Sequence, residues 1–266
     1  EHLILATPDN GVVAAMYAAC KATVKVGDGN EISLHEQTNY PFEETIRFTV
    51  NTPKAVSFPF YLRIPSWTEG ATIFVNGKKV AANPEAGQYA CINREWKDND
   101  QVEIQLPMQL SMRTWQVNKN SVSVDYGPLT MSLKIDEDYV KKDSRATAIG
   151  DSKWQEGADA SQWPTYEIYA KTPWNYALVL GKNEPLKDFK VVHKEWPADN
   201  FPFTVASTPI EVKAIGRKVP SWVIDQYDLC SELPEMDAPK GEKEEITLIP
   251  MGAARLRVSA FPNTRE

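Results

Sequence analysis

Glycine and proline interrupt this chain at short intervals, roughly every eight to twelve residues, and the segments between them are rich in Val, Ile, Thr, Phe and Tyr. Apolar residues with the 3.6-residue period of an amphipathic helix are nearly absent. Regularly spaced turns between short β-prone segments are typical of β-sandwiches. The sequence therefore predicts an all-β fold, which we expect to consist of two antiparallel, jelly-roll-like β-sandwich domains in tandem.

Several segments alternate apolar and polar residues, which is the pattern of a strand with one buried face. Residues 44–50 and 57–64 show it most clearly. The strongest turn signal is Asn76-Gly77, which lies between the β-prone residues 72–75 and 78–80. Because both turn residues tolerate a positive φ, this pair predicts a tight hairpin with a type I′ turn.

A second hairpin is predicted from residues 88–96 and 101–106, joined by the turn at residues 97–100. Asn99 lies in that turn and tolerates the left-handed conformation. Two more strands are expected on either side of Gly127-Pro128, at residues 121–126 and 129–135. Further strand-like segments lie at residues 166–170, 176–180, 203–206, 211–215, 246–249 and 255–261.

Two stretches of the chain are polar and charged. Residues 136–160 are predicted to form a long excursion, and residues 231–245 a solvated acidic loop.

We place the domain boundary after the strand that ends near Pro107 and its following arm, which gives domains at residues 1–116 and 117–266. One elaborated sandwich is the alternative, and a continuous core joining the regions of Ile104 and Val124 would favour it.

The opening of the chain is ambiguous. Residues 12–20 are rich in alanine and could form one buried helix. Because they follow a turn-forming Thr-Pro-Asp-Asn-Gly at residues 7–11, a strand returning from residues 3–6 is the better interpretation. The first residue is Glu1 and not Met, so we expect the natural protein to begin upstream, and any targeting signal for export would lie there.

Composition excludes several classes of function. The net charge is −7, which works against broad contact with nucleic acid, and no apolar stretch approaches the length of a membrane span. The odd, scattered cysteines predict no disulfide framework, and together with the scattered histidines they predict no metal site. These residues are Cys20, Cys91, Cys230, His2, His35 and His193.

Catalytic motifs are not evident in the sequence. A glycosidase needs two carboxylates about 5 to 10 Å apart, and no distinctive pair is visible. Glu43 and Glu44 are adjacent and would point apart on a strand. Asp225 and Asp228 could face one calcium ion, but no loop with calcium-ligand spacing surrounds them. We therefore predict no catalytic residue in this chain.

Tryptophan is the remaining candidate for ligand contact, since the chain has eight of them and aromatic faces stack on sugars. In a sandwich most tryptophans serve packing. Trp154 lies in the polar excursion and Trp163 directly after it, so they are the candidates for carbohydrate binding.

The order of short motifs resembles the C-terminal β-sandwich region of glycoside hydrolase family 127, the β-L-arabinofuranosidase family once catalogued as a domain of unknown function. The motifs span almost the whole chain, and their order is more specific than any one of them. They are the sequences at residues 40–41, 60–67, 74–78, 87–96, 102–108, 126–129, 248–252 and 255–258. The resemblance implies a glycoside hydrolase as the parent protein.

The resemblance also implies that the active site lies elsewhere. In that family an N-terminal (α/α)₆ barrel carries a zinc-bound cysteine nucleophile, and nothing here matches its ligands. We therefore expect this segment alone to be inactive, to need no cofactor, and to brace the missing barrel of the same polypeptide. Residues 3–26, which are rich in apolar side chains, are the expected contact and could otherwise pair two copies into a homodimer. The alternative is a carbohydrate-binding module for plant-type polysaccharide.

Overall fold

A computed structural model describes residues 3–81, 84–144, 157, 159–227 and 229–266. Within these ranges the regular structure is β-strand apart from two short 3₁₀ turns, so the all-β prediction is confirmed. The chain divides into two compact units. The first extends to Ser111 and includes Tyr126–Leu129, and the second consists of Met112–Asp125 and Thr130–Glu266.

Two antiparallel-dominated sheets form the first unit. One has four strands in the order β1-β2-β6-β9, and the other has six in the order β3-β4-β5-β10-β7-β8. In chain order the strands are β1 (Ile4–Ala6), β2 (Val12–Ala14), β3 (Cys20–Val26), β4 (Asn30–Thr38), β5 (Thr45–Asn51), β6 (Val56–Arg63), β7 (Thr72–Val75), β8 (Lys78–Lys79), β9 (Tyr89–Trp96) and β10 (Asp100–Gln105).

The apolar faces of these two sheets share one core. Phe48 comes from the six-stranded sheet, and its ring lies 5.3 Å from that of Phe60 in the four-stranded sheet. Trp96 is fully buried between Phe58 and Phe60, with ring centroids 5.7 and 6.0 Å away. The unit is therefore a sandwich, held together by the alternation of apolar residues that the sequence displays.

The local turn predictions hold at atomic detail. Asn76 and Gly77 have φ values of 50° and 76°, and they join β7 to β8 as the type I′ prediction requires. Asn99 has a φ of 63°, which confirms its left-handed conformation. These turns need no tertiary contact to be predicted, because the residue types themselves permit the backbone angles.

The second predicted hairpin is wrong. β9 and β10 follow each other in sequence, but β9 pairs with β6 in the four-stranded sheet, whereas β10 pairs with β5 and β7 in the six-stranded sheet. The turn at residues 97–99 carries the chain from one sheet to the other. Both strands bury one face, and alternation alone does not state which sheet receives them.

The opening strand prediction is confirmed in part. β1 pairs with β2 in an antiparallel register, so residues 12–14 do return from residues 4–6. The strand ends at Ala14, however, and residues 15–19 cross to the six-stranded sheet, where β3 begins at Cys20. The helix alternative is wrong, since no helix forms here.

The second unit is built on one eight-stranded sheet and a separate two-stranded ribbon. The sheet has the order β11-β12-β13-β19-β18-β16-β20, and β17 also pairs with β18. The strands are β11 (Leu110–Trp115), β12 (Ser121–Tyr126), β13 (Leu129–Leu133), β14 (Glu137–Lys142), β15 (Thr165–Ala170), β16 (Tyr176–Leu180), β17 (Lys190–His193), β18 (Ile210–Lys218), β19 (Lys243–Pro250) and β20 (Asn263–Arg265). Strands β14 and β15 make the ribbon.

Several predictions for this unit need correction. Residues 203–206 form turns, and residues 255–261 are irregular except for a bridge at Phe261. The final strand is β20, which pairs in parallel with β16. Part of the predicted excursion is the ordered strand β14. The acidic stretch is irregular only as far as residue 242. Its last three residues, 243–245, belong to β19 and pair with β18.

Candidate functional site

The two outer faces of the first sandwich differ in chemistry. On the six-stranded sheet one row of paired residues is Lys21, His35, Thr49 and Gln101. The next row is Gln37, Arg47, Glu103 and Phe74, in which Arg47 Nε lies 2.8 Å from a Glu103 oxygen. A shallow depression of about 340 Å³ lies over part of this second row. The face is polar and charged, as expected for a surface in contact with water.

The outer face of the four-stranded sheet carries one apolar row, although Arg63, Asn93 and Glu95 lie on the same face of β6 and β9. The strand registers place Leu5 opposite Val13, Val13 opposite Tyr61, and Tyr61 opposite Cys91. We call these four residues, one from each strand, the apolar row. Leu5 and Cys91 are exposed, and Val13 and Tyr61 are half-buried. The row carries no charged side chain from one edge of the sheet to the other.

Two further features extend the apolar row. Tyr89 precedes Cys91 on the same face of β9, is 51% exposed and pairs with Arg63 on β6. The Tyr61 hydroxyl donates a hydrogen bond of 2.6 Å to Asp9, and this bond raises the pKa of the Tyr61 hydroxyl. This bond restrains the Tyr61 side chain. The arrangement suits contact with another apolar surface better than contact with water.

A buried polar cluster lies where residues 15–19 cross between the sheets. The Glu36 carboxylate is fully buried and accepts hydrogen bonds from the Ala18 backbone N–H at 3.0 Å and from Cys20 Sγ at 3.6 Å. Burial raises the pKa of Glu36 to about 7, although these hydrogen bonds oppose the shift. The nearby Tyr17 hydroxyl donates to the Arg63 carbonyl at 2.7 Å. Burial, reinforced by the charge of Glu36, raises the Tyr17 pKa.

This cluster has a structural explanation. Glu36 ties the crossing segment to β4, and Tyr17 ties it to β6, so the two bonds hold the segment against both sheets. Among the described residues, the side-chain hydrogen bonds of Glu36 come from a backbone N–H and a thiol and not from a second carboxyl group, so this cluster is not the two-carboxylate pair of glycoside hydrolysis. The cluster positions backbone and does not resemble a catalytic pair.

Of the predicted carbohydrate-binding residues, the structure describes Trp163. Its side chain is 68% exposed, and its carbonyl accepts a 2.7 Å hydrogen bond from Ser144 Oγ. Trp154 lies outside the described residues. The rings of Tyr139 and Tyr166, on the neighbouring ribbon, contact each other edge to face at 6.0 Å. The role of Trp163 in carbohydrate binding remains a prediction.

The other sequence candidates do not assemble into a site. Asp225 accepts hydrogen bonds from the backbone N–H groups of Tyr227 and Leu229, which is a turn-forming role. Asp228 lies outside the described residues. Over the described ranges, no three His, Cys, Asp or Glu side chains come close enough together to hold a metal ion. Over the same ranges, no helix is long and apolar enough to cross a membrane.

Sequence reasoning identified part of the apolar row and missed the rest. Leu5 and Val13 were within the apolar opening stretch, but Tyr61, Cys91 and Tyr89 come from strands that are distant in sequence. Alternation marks them as outward-facing, which is the signal that could have found them. Their alignment into one row depends on the pairing of four strands.

Comparison with known proteins supports the resemblance. Residues 11–108 match the family model described as β-L-arabinofuranosidase, GH127 middle domain. No curated protein sequence gives a significant match. The resemblance of this chain to a region of glycoside hydrolase family 127 is therefore confirmed for its first unit by sequence.

Solved structures show the same fold over nearly the whole chain. A GH127 β-L-arabinofuranosidase from Geobacillus stearothermophilus T6 has 22% identity and a TM-score of 0.62, and the match covers 99% of this chain and 35% of that one. A protein described as a glycoside hydrolase has 22% identity and a TM-score of 0.60, with 97% and 36% covered. A GH127 β-arabinofuranosidase has 20% identity and a TM-score of 0.60, with the same coverage. The chain thus spans about a third of the length of the structures it matches.

Proposed function

We propose that this chain, which carries a domain of the GH127 family related to β-L-arabinofuranosidases, is a non-catalytic region that braces a catalytic domain of the same polypeptide. The apolar row is the contact surface. The zinc and the cysteine nucleophile implied by the family resemblance would then lie in the catalytic domain, and this chain would contribute no catalytic residue.

The observation that carries the proposal is the apolar row, which differs from the paired rows on the outer face of the six-stranded sheet. The face with rows such as Lys21, His35 and Thr49 is suited to water. The face with Leu5, Val13 and Cys91 leaves apolar groups in a continuous line across four strands. Contiguous apolar surface of this kind typically marks an interface.

The length of the matched structures supports a partner within the same polypeptide. This chain accounts for 35% to 36% of each matched structure, which fits a catalytic domain elsewhere in the chain. The outermost strand of the face, β1, is also short, with three residues, and pairs on one side with β2. Its other edge offers backbone groups to a neighbour.

The structure changes which residues carry the contact. Residues 3–26 were expected to form it as a whole, but Ile4, Val12 and Tyr17 are buried in the core of the sandwich itself. Only the outward side chains remain available, chiefly Leu5 and Met16. Their apolar neighbours come from β6 and β9, so the proposed surface is a sheet face and not a sequence segment.

The test uses the full-length parent protein and a pair of charge substitutions, Leu5→Lys with Cys91→Lys. We expect lower thermal stability and lower glycosidase activity of the full-length protein, because burial of a lysine in an interface is costly. The same substitutions in this chain alone should leave its unfolding temperature nearly unchanged, since both side chains are exposed. Thr49→Lys with Gln101→Lys, on the polar face, is the matched control.

Unchanged stability and activity of the full-length Leu5→Lys, Cys91→Lys protein would contradict the bracing role. A change confined to this chain alone would instead assign the row to folding. Sedimentation of the isolated chain tests the homodimer alternative: a dimer that these substitutions dissociate would mean that a second copy covers the row.

A further inference from the structure

Three lysine side chains converge on one buried carboxylate in the second unit. Glu211 lies on β18 and is 8% exposed in its side chain. Lys134 Nζ and Lys194 Nζ lie 2.9 and 3.1 Å from its Oε1 atom, and Lys213 Nζ lies 3.3 Å from Oε2. Lys213 Nζ also donates to Thr247 Oγ1 at 2.8 Å. We call Lys134, Lys194 and Lys213 the lysine triad.

The three lysines come from separate parts of the sheet. Lys134 follows β13, Lys194 follows β17, and Lys213 lies on β18 itself. Because β18 lies between β17 and β19, its Glu211 side chain can be reached from both sides. The three lysines are therefore brought together by the tertiary structure, and no sequence motif predicts their proximity.

The triad holds more positive charge than the carboxylate needs. One ammonium group would neutralise Glu211, yet three surround it, which leaves an excess of two positive charges at the cluster. The register places Lys190 directly opposite Lys213 on the same face, and this adds a further cation nearby. Glu245 lies one row further along that face. This concentration of cations occurs in a chain whose net charge is −7.

Glu211 lies deeper in the protein than the three lysine side chains that surround it. Glu211 is nearly inaccessible, whereas the lysine side chains are 32% to 34% exposed. Burial works to raise the pKa of Glu211, but the hydrogen bonds from Lys134 and Lys194 outweigh it and lower that pKa to about 2. The carboxylate is therefore an anion at neutral pH, and it lies beneath lysine side chains that are about one third exposed.

We infer that the lysine triad is a binding site for a doubly charged tetrahedral oxyanion, namely a phosphate or sulfate group. Two negative charges on the ligand match the two uncompensated positive charges of the cluster. Ammonium groups are strong donors to oxyanions, and Glu211 holds them together in advance, so little ordering is needed when the ligand binds. This inference does not depend on the proposed bracing role.

The number of lysines argues against a purely structural role. Lys134 Nζ and Lys194 Nζ share one oxygen, so they are at most about 6 Å apart and repel each other. A structural ion pair would be served by one lysine without that repulsion. An oxyanion above the cluster would offset the repulsion and could accept from N–H groups that do not point at Glu211.

The test is isothermal titration calorimetry, in which inorganic phosphate or inorganic sulfate is titrated into the whole chain in a buffer of low ionic strength. We expect saturable binding that weakens by about tenfold in each of Lys134→Met, Lys194→Met and Lys213→Met, since each loses one charged hydrogen bond. Lys54→Met removes an exposed lysine of the first unit and should bind as the unsubstituted chain does. Circular dichroism checks that each variant is folded, and the three variants are independent tests.

Absence of saturable binding up to about 10 mM of either anion would overturn the inference. The inference would also be overturned if the three lysine variants bound the anions with the same affinity as Lys54→Met. Glucose 6-phosphate and glucose 6-sulfate distinguish the source of the oxyanion: tighter binding than the inorganic ions indicates a group carried on a sugar, and equal or weaker binding indicates the free ion.

Discussion

The buried Glu36 carboxylate accepts a hydrogen bond of 3.0 Å from the backbone N–H of Ala18. This bond fixes the segment that crosses between the two sheets of the first sandwich. It also places an ionisable group in the core, where its charged form is disfavoured. The stability of the fold therefore depends on pH through this residue.

Glu36→Gln should make the stability of the fold less sensitive to a rise in pH through the neutral range. The folded-state pKa of Glu36 is raised to about 7 from 4.5, so the folded state binds the proton more tightly, and stability is lost as the pH rises from 4.5 through 7. Between pH 5 and pH 8 the unsubstituted chain should lose about 2 kcal/mol of unfolding free energy that the variant retains. Urea unfolding at both pH values measures this. Glu31→Gln, an exposed position on β4, is the control, and identical pH dependence in Glu36→Gln and the unsubstituted chain would contradict the expectation.

Glu211→Gln should have the opposite dependence. Its folded-state pKa is lowered to about 2, so Glu211 contributes stability above pH 4.5 that is lost as the pH falls toward 2. The variant should be less stable at pH 7 by about 2 kcal/mol, allowing for solvent screening at the partly exposed lysines. Its stability should change less between pH 5 and pH 3. Acid unfolding followed by circular dichroism checks this against Glu195→Gln, which is exposed; a larger acid sensitivity in Glu211→Gln would refute it.

Trp96→Phe should destabilise the first unit by about 2 to 3 kcal/mol. The indole is fully buried, and its Nε1 donates a 3.0 Å hydrogen bond to the Phe58 carbonyl, so the substitution leaves both a cavity and an unpaired acceptor. Trp163→Phe is the matched control, because Trp163 is exposed and should change stability little. Chemical denaturation measures the free energy of unfolding of both variants, and an equal decrease in the two would contradict the expected contribution of Trp96.

Gly11→Ala should disrupt the hairpin that carries the start of the apolar row. A Cβ at this position would overlap the carbonyl oxygen of Pro59, which is backbone and cannot move aside easily. We expect a loss of about 2 kcal/mol or more of unfolding free energy. Hydrogen exchange of the β1 and β2 amides would locate the effect. In Gly241→Ala the new Cβ would meet its nearest neighbour at 3.7 Å, so this control should be tolerated, and similar behaviour of both variants would be contrary to expectation.

Local features of this fold could be predicted from the sequence because they depend on neighbouring residues. Asn76-Gly77 permits the positive φ values of its turn, and Asn99 permits its own. Alternation in β5 and β6 states which side chains turn inward, as Phe48 and Phe60 do. The family resemblance was also accessible, since it rests on the order of short motifs along the chain.

The partners of each strand were decided by tertiary structure. The strands that contain Trp96 and Val102 are adjacent in sequence and show similar alternation, yet they belong to different sheets. The convergence of Lys134 and Lys194 on Glu211, like the alignment of Leu5 with Cys91, follows from such pairing. Periodicity determines only which face of a strand is buried. Which neighbour it pairs with is a non-local choice, made by the packing of both sheets into one core.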